Sequence, residues 1–143
     1  MPRTLIVDAT PLFSALLGGS ALPILFDPGC RFITTEKTTW EVKRHIPHVV
    51  ARLNAAGKSA WTELRLEQLF HRLPIAAFAD EFYQAFLTEA HKLIDSRDPE
   101  DADLLALAMQ TKLPIWTEDR DFDTLPGIEV VHTSDLVTQR SSG

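Results

Sequence analysis

The chain has 143 residues, of which 45% are hydrophobic and 24% charged, with a formal net charge of −6. This length predicts one domain with its own core, and the negative charge argues against a protein that coats nucleic acid without specificity. No apolar run approaches the ~20 residues that cross a bilayer, and the first ten residues lack the apolar stretch of a signal peptide. The single cysteine, Cys30, excludes an internal disulfide and favours a reducing compartment, so we expect a cytoplasmic protein.

Short apolar strands alternate with helices in the first half of the chain. In order, the residues predict a strand at Thr4–Val7, a helix at Pro11–Leu17 that is capped by Thr10, a strand in "RFITTE", and a long helix from about Thr35 that Pro47 kinks or restarts.

The second half continues the same alternation. It predicts helices at Thr62–His71 and Glu81–Ile94, a helix that opens in "RDPEDADLLALAMQTK", strands in "LPIAAF", "LPIWT" and "IEVVHT", and a last helical turn at Ser134–Thr138. We expect a disordered tail over residues 139–143.

This alternation is typical of a mostly parallel sheet covered by helices on both faces. The predicted fold is therefore a three-layer α/β/α sandwich with four to five strands, and residues 1–138 form its single domain. No composition shift or linker divides the chain.

Charge is distributed unevenly along the chain. Residues 31–72 hold eight Lys and Arg against four Glu, a balance of +4, and the remainder holds six against sixteen, a balance of −10. Nine of the acids fall between Asp95 and Asp123. The acidic patch suggests a cation site and the basic stretch a surface for a polyanion, although both are also explained by solvated helix faces.

Two acids follow predicted strands directly. Asp8 ends "LIVD", and Asp119 follows "PIWTE". In open α/β sheets, ligands bind outside the carboxyl ends of the strands, so this shared place predicts a site at one edge of the sheet. The alternative for Asp8 is helix capping, but Thr10 is also a good cap.

The acids of "DPEDAD" have a structural explanation and a functional one. Asp98 as cap, with proline and acids in the first turn, makes a well-formed helix start. Asp101 shares a helical stripe with Leu105 and Ala108, which predicts that it points toward the sheet. Asp103 is rotated away from that stripe, so we expect it to face solvent.

Other candidate groups carry weaker signals. Glu36 and Glu41 lie on the helix after the second strand, where single glutamates are mostly solvated. His45 and His48 have a spacing that could bind a metal, but no third ligand is near in the sequence, and we expect them at the surface. Cys30 lies in a turn without basic neighbours, so we expect it to be unreactive.

Three segments, taken together, resemble the PIN-domain family and its VapC-like toxin ribonucleases. They are "LIVDATPLFSALL", "TTEKTTWEV" and "RDPEDADLLALAMQTKLPIWTEDRDF". The resemblance implies catalytic roles for Asp8, Glu41, Asp101 and Asp119, and metal binding by Asp8, Asp101, Asp119 and Asp121. Thr117 would orient this cluster, and Glu36 is the alternative to Glu41 as the acid of the second helix.

The resemblance further implies an Mg²⁺- or Mn²⁺-dependent ribonuclease, often the toxin of a type II toxin–antitoxin pair that dimerises and is silenced by a small antitoxin protein. Crowded carboxylates repel each other, and a hard divalent cation with oxygen ligands relieves that repulsion. The alternatives are a non-catalytic PIN-like module that binds RNA or a partner, and a housekeeping RNA-processing nuclease without antitoxin.

Two other acidic-pocket families are disfavoured by the sequence. A dehalogenase-type phosphatase needs a second Asp after the first strand, where this chain has "DAT". A phospho-receiver domain needs paired acids after the first strand and a lysine after the last strand, and "IEVVHTSDLV" supplies no lysine.

Overall fold

The computed structural model describes residues 3–94 and 99–142. Five strands run at β1 (Arg3–Val7), β2 (Cys30–Thr35), β3 (Ile75–Phe78), β4 (Ile115–Trp116) and β5 (Val130–Val131). The helices are α1 (Ala9–Leu16), α2 (Ala21–Leu25), α3 (Glu36–Arg44), α4 (Ile46–Ala55), α5 (Glu63–Arg72), α6 (Leu87–Ile94), α7 (Pro99–Thr111) and α8 (Thr133–Ser142). Short 3₁₀ turns cover Asp80–Phe82, Gln84–Phe86 and Arg120–Thr124.

All strand pairs are parallel, and the spatial order is β3-β2-β1-β4-β5. Strands β2 and β3 therefore lie on one side of β1. The chain then crosses over, and β4 and β5 lie on the other side of β1. Ile6 pairs with Ile33 of β2 and with Ile115 of β4. The point where the strand order reverses lies between β1 and β4, and such points are where open α/β sheets bind ligands.

Side chains of β1 alternate between two hydrophobic cores. Leu5 and Val7 pack into a cluster with α1–α5 and α8, whereas Ile6 packs into a second cluster with α6 and α7. Successive strand residues point to opposite faces, so a strand buried on both sides reads as a continuous apolar run. The predicted three-layer α/β/α fold with a parallel sheet is confirmed. Among the described residues, no helix is both long and apolar enough to span a membrane.

The start of α1 differs from the prediction. Asp8 is the N-cap, and its Oδ1 accepts a hydrogen bond of 2.7 Å from the backbone N–H of Ala9. Thr10 lies inside the helix, where its hydroxyl accepts from the backbone N–H of Glu118 at 3.1 Å. The predicted Thr10 cap is wrong, because proline fits any position of a first turn and Pro11 does not mark the first helical residue.

The helices of the middle region match the prediction in part. The chain restarts as a new helix at Ile46, with Pro47 in its first turn, as the proline predicted. The helix predicted at Glu81–Ile94 is regular only over Leu87–Ile94, since the preceding residues form 3₁₀ turns. α2 was not predicted.

The C-terminal helix is longer than the predicted turn at Ser134–Thr138. α8 continues to Ser142, over residues for which we predicted a disordered tail, and Gly143 lies outside the described residues. The proposed cap Asp98 also lies outside them.

The central part of helix α7 is buried on almost every side. Residues 102–108 are all inaccessible, because the sheet covers one side and α3, α6 and the 3₁₀ turns cover the others. Asp103 is fully buried, so its predicted solvent-facing position is wrong. The assignment of a solvent face assumed an amphipathic helix, and α7 has no such face over this stretch.

Candidate functional site

The carboxyl ends of β1 and β4 bring two polar residues together. The backbone N–H of Asp8 donates to the carbonyl of Trp116 at 3.0 Å, which continues the β1–β4 pairing by one residue. Beside it, the Thr117 hydroxyl donates to Oδ2 of Asp8 at 2.6 Å and accepts from the backbone N–H of Asp119 at 2.9 Å. Both Asp8 and Thr117 are buried, so this edge of the sheet holds the Asp8 carboxylate in one orientation.

A pocket of about 190 Å³ opens at this edge. Four acids from four separate chain segments line it, namely Asp8, Glu41, Asp101 and Asp119. Ala9, Thr10, Phe13 and Thr38 complete the lining. The fold thus brings to one cavity four acids that are up to 111 positions apart in the sequence.

The acid of α3 in this pocket is Glu41. Its Oε2 accepts from Arg44 at 3.0 Å, and its Oε1 lies 3.4 Å from Nδ1 of His45. Glu36, the alternative, is an exposed residue in the first turn of α3 and is not part of the pocket lining. The side chain of Glu41 is 21% exposed, so it is held at the rim and not released to solvent.

Asp121 lies in a neighbouring cavity. That cavity has a volume of about 340 Å³ and is lined by Leu93, Ile94, Asp101, Asp121, Phe122, Thr124 and Leu125. Asp101 borders both cavities. The backbone N–H of Asp121 donates to Oδ1 of Asp119 at 2.9 Å, so Asp119 also caps the 3₁₀ turn that carries Asp121.

The four acids line one pocket, but their side chains are not close enough together to coordinate a metal ion directly. Within residues 3–94 and 99–142, no three His, Cys, Asp or Glu side chains stand close enough to hold a metal ion directly. The donor set is nevertheless made of carboxylate oxygens, which are the ligands of Mg²⁺ and Mn²⁺. Since Mg²⁺ keeps several of its waters when protein-bound, fewer direct contacts are needed than for a dehydrated ion.

Sequence reasoning missed a group that supports the loop after β4. His132 is buried at the end of β5, where Nδ1 contacts the Thr117 carbonyl at 2.5 Å and Nε2 contacts Oδ1 of Asp123 at 2.9 Å. These two contacts bracket the segment that carries Asp119 and Asp121. A single histidine after a strand gives no signal of this role, since the role depends on which strand lies next to it.

A second missed group lies two residues after Asp101. One oxygen of the buried Asp103 carboxylate accepts a hydrogen bond from Tyr83, and the other lies 3.3 Å from Nζ of Lys37. Burial of the phenol, together with the hydrogen bond to Asp103 and its negative charge, raises the pKa of Tyr83 well above its usual value. The group ties α7 to α3 and to the turn before α6.

The comparisons with known proteins agree with this architecture. The sequence profile of the family described as PIN domain matches residues 6–141. A solved structure, VapBC2 from Rickettsia felis bound to a DNA fragment from its promoter, contains a chain that aligns with a TM-score of 0.61 at 10% identity. The alignment covers 91% of this chain and 98% of that one, and at such low identity it supports the fold alone. No curated protein matches. Because the family profile covers nearly the whole sequence, this chain belongs to the PIN-domain family.

Proposed function

We propose that this protein is a divalent-metal-dependent endoribonuclease that hydrolyses RNA phosphodiester bonds at the pocket between β1 and β4. The observation that carries the proposal is the meeting of Asp8, Glu41, Asp101 and Asp119 around one cavity. A pocket with four carboxylates is unfavourable for an anionic substrate unless a cation balances the charge. Family membership supports the same conclusion, because it implies Mg²⁺ or Mn²⁺ as the cofactor.

Asp8, Asp101 and Asp119 would hold the ion, with Asp121 approaching from the adjoining cavity. A divalent ion held by these residues would supply activation of a water molecule and charge stabilisation for the phosphodiester oxygens. The Asp8 carboxylate would be a ligand with a fixed orientation, because Thr117 and the backbone at the start of α1 each donate a hydrogen bond to one of its oxygens. Glu41 stays at the rim, where Arg44 and His45 hold its carboxylate. Neither Ser nor His is needed as a nucleophile in this scheme.

We further propose that the protein is the cytoplasmic toxin of a type II toxin–antitoxin pair, acts as a homodimer and is silenced by a small antitoxin. The fold likeness to a chain of the VapBC2 complex and the PIN-domain family support this placement. A housekeeping RNA-processing nuclease would have the same pocket and no antitoxin.

The cleavage test uses purified protein and a single-stranded RNA with Mg²⁺ or Mn²⁺. Asp8→Asn and Asp101→Asn should lower the cleavage rate by roughly 10²–10³-fold, as expected when one charge-stabilising group is removed from an active site, and a chelator should abolish cleavage. Glu67→Gln, an exposed acid on α5 outside the pocket, is the matched control and should leave the rate unchanged.

Metal binding is measured separately by titration calorimetry. Asp8→Asn should weaken the binding of Mn²⁺, whereas Glu67→Gln should not. If wild-type protein neither cuts RNA nor binds either metal, the nuclease proposal is wrong.

That outcome would favour a second candidate, a non-catalytic PIN-like module. One observation supports it: no three potential ligands among the described residues are close enough to coordinate an ion as they stand. Such a module would bind RNA or a protein partner without a metal.

A further inference from the structure

An exposed tryptophan lies beside the acidic pocket. Trp40 is 58% exposed on α3, although the same helix buries Thr38 and Val42 against the core. Large aromatic side chains are highly buried on average, so one that is mostly exposed and adjoins a candidate active site suggests a binding surface.

A cation lies over the ring of Trp40. The guanidinium of Arg44 lies over it, 4.4 Å from the ring centroid, and the same guanidinium contacts Oε2 of Glu41 at 3.0 Å. Arg44 thus joins the exposed ring to an acid of the pocket. Among the described residues, the other exposed aromatic side chains, Phe26 and Phe82, have no such cation over their rings.

The surface around the exposed tryptophan is linked to the pocket through Arg44 and Glu41, and Glu41 also contacts His45. The His45 ring makes an edge contact with Phe13, whose side chain lines the pocket, at a centroid distance of 5.8 Å. His48 lies 5.7 Å beyond His45. The acidic pocket is therefore bordered on the α3 side by the aromatic faces of these rings, with Arg44 as the neighbouring cation.

These features fit a single-stranded nucleic acid. Proteins bind unpaired bases by stacking them on aromatic rings and attract the backbone with nearby cations, and Arg adds a cation–π contribution. Arg44 supplies the cation, and Trp40 supplies the ring. A double helix keeps its bases stacked internally and could not use this ring.

We propose that Trp40, with Arg44 over its ring, is the stacking platform for an unpaired base of the RNA substrate, next to the phosphodiester that enters the pocket. This inference rests on the proposed ribonuclease function and adds a positioning residue to it. Trp40 binds substrate without taking part in bond cleavage, so it contributes to KM and not to kcat.

Steady-state cleavage of an unstructured RNA oligonucleotide tests the platform. Trp40→Ala should raise KM roughly 5- to 150-fold, since stacking of one base on an aromatic ring contributes about 1–3 kcal/mol, and should leave kcat unchanged. Trp40→Phe keeps an aromatic face and should recover most of the loss. Leu64→Ala, an equally exposed apolar residue on α5, is the matched control.

Fluorescence gives a readout that does not need cleavage. In the Asp8→Asn protein, addition of the oligonucleotide should quench tryptophan emission, and Trp40→Phe in that background should remove the quenching. The two other tryptophans should not respond, because Trp116 is fully buried and Trp61 packs against the core.

The outcomes separate this inference from the proposed function. If wild-type protein cuts RNA and Trp40→Ala cuts it with the same KM, the platform is refuted while the nuclease stands. If wild-type protein cuts no RNA but the quenching is observed and depends on Trp40, the platform stands and catalysis fails. If Trp40→Ala changes the mass measured by light scattering and KM stays the same, Trp40 belongs to a protein interface and the platform is refuted.

Discussion

Replacing Tyr83 by phenylalanine removes one hydroxyl from the interior and almost nothing else. Tyr83 is 1% exposed, and its hydroxyl donates to the carboxylate of Asp103, which is fully buried. Phenylalanine keeps the ring and its packing, so the substitution isolates the hydrogen bond. It leaves one buried carboxylate oxygen without its donor.

The size of the effect follows from the charge and burial of the acceptor. A hydrogen bond to a charged group contributes about 1.5–3 kcal/mol, and an unsatisfied buried group loses its hydration as well. Tyr83→Phe should therefore lower the free energy of unfolding by about 2–3 kcal/mol. Lys37 contacts the same carboxylate, but its side chain is 53% exposed, so Lys37→Met should cost less than about 1 kcal/mol.

Urea denaturation followed by circular dichroism measures both variants, with the shift in midpoint read at constant slope. A double-mutant cycle with Asp103→Ala measures the interaction free energy between Tyr83 and Asp103. In that background the hydroxyl has lost its acceptor, so Tyr83→Phe should cost nothing. A loss below about 0.5 kcal/mol in the wild-type background would refute the reasoning. The same loss with and without Asp103 would also refute it.

Two further predictions concern pH and the pocket. Because the pKa of Tyr83 is raised in the folded protein, the folded chain keeps a proton that the unfolded chain releases near pH 10. The contribution of Tyr83 to the free energy of unfolding is therefore complete below pH 10 and falls by about 1.4 kcal/mol per pH unit above it. The stability difference between wild type and Tyr83→Phe should shrink over that range, and because Tyr83 is the single tyrosine, phenolate absorbance should appear only as the protein unfolds. Thr117→Val should lower stability by about 1–3 kcal/mol and weaken Mn²⁺ binding measured by calorimetry, because it removes the bonds to Asp8 and Asp119. Thr34→Val removes a comparable buried bond to the Val7 carbonyl, so it should lower stability and leave Mn²⁺ binding unchanged; equal metal affinities in the two variants would contradict the role of Thr117.

The N-caps of the helices show which features local sequence signals can predict and which they cannot. Thr35 and Thr62 accept hydrogen bonds from backbone N–H groups three residues ahead, as expected for threonine caps. The sequence pattern predicts helix starts at these two residues without identifying either as a cap. At α1 it predicts Thr10 as the cap, but the cap is Asp8. Both residues were acceptable caps by local criteria; in the structure Asp8 caps the helix and the Thr10 hydroxyl bonds the loop after β4.

The buried helix α7 shows where periodicity fails. Its pattern predicted that Asp101 points toward the sheet, and Asp101 lines the pocket at the sheet edge; the same pattern placed Asp103 in solvent, but Asp103 is fully buried. Periodicity can separate an inner from an outer face only when the helix has an outer face. The burial of Asp103 depends on Tyr83 and Lys37, which are 20 and 66 positions away in the sequence and give no local signal.

Local patterns in the sequence were enough to predict the alternation of strands and helices, and with it the acids that follow β1 and β4. These features depend on neighbouring residues: an apolar run, a cap, a proline, an acid at the end of a strand. The packing of distant segments, in contrast, places β1 between β2 and β4, so that Thr117 meets Asp8. It also brings Glu41 and not Glu36 to the pocket. Strand order and helix packing are set by the burial of apolar surface across the whole chain, and that information is not contained in any single segment.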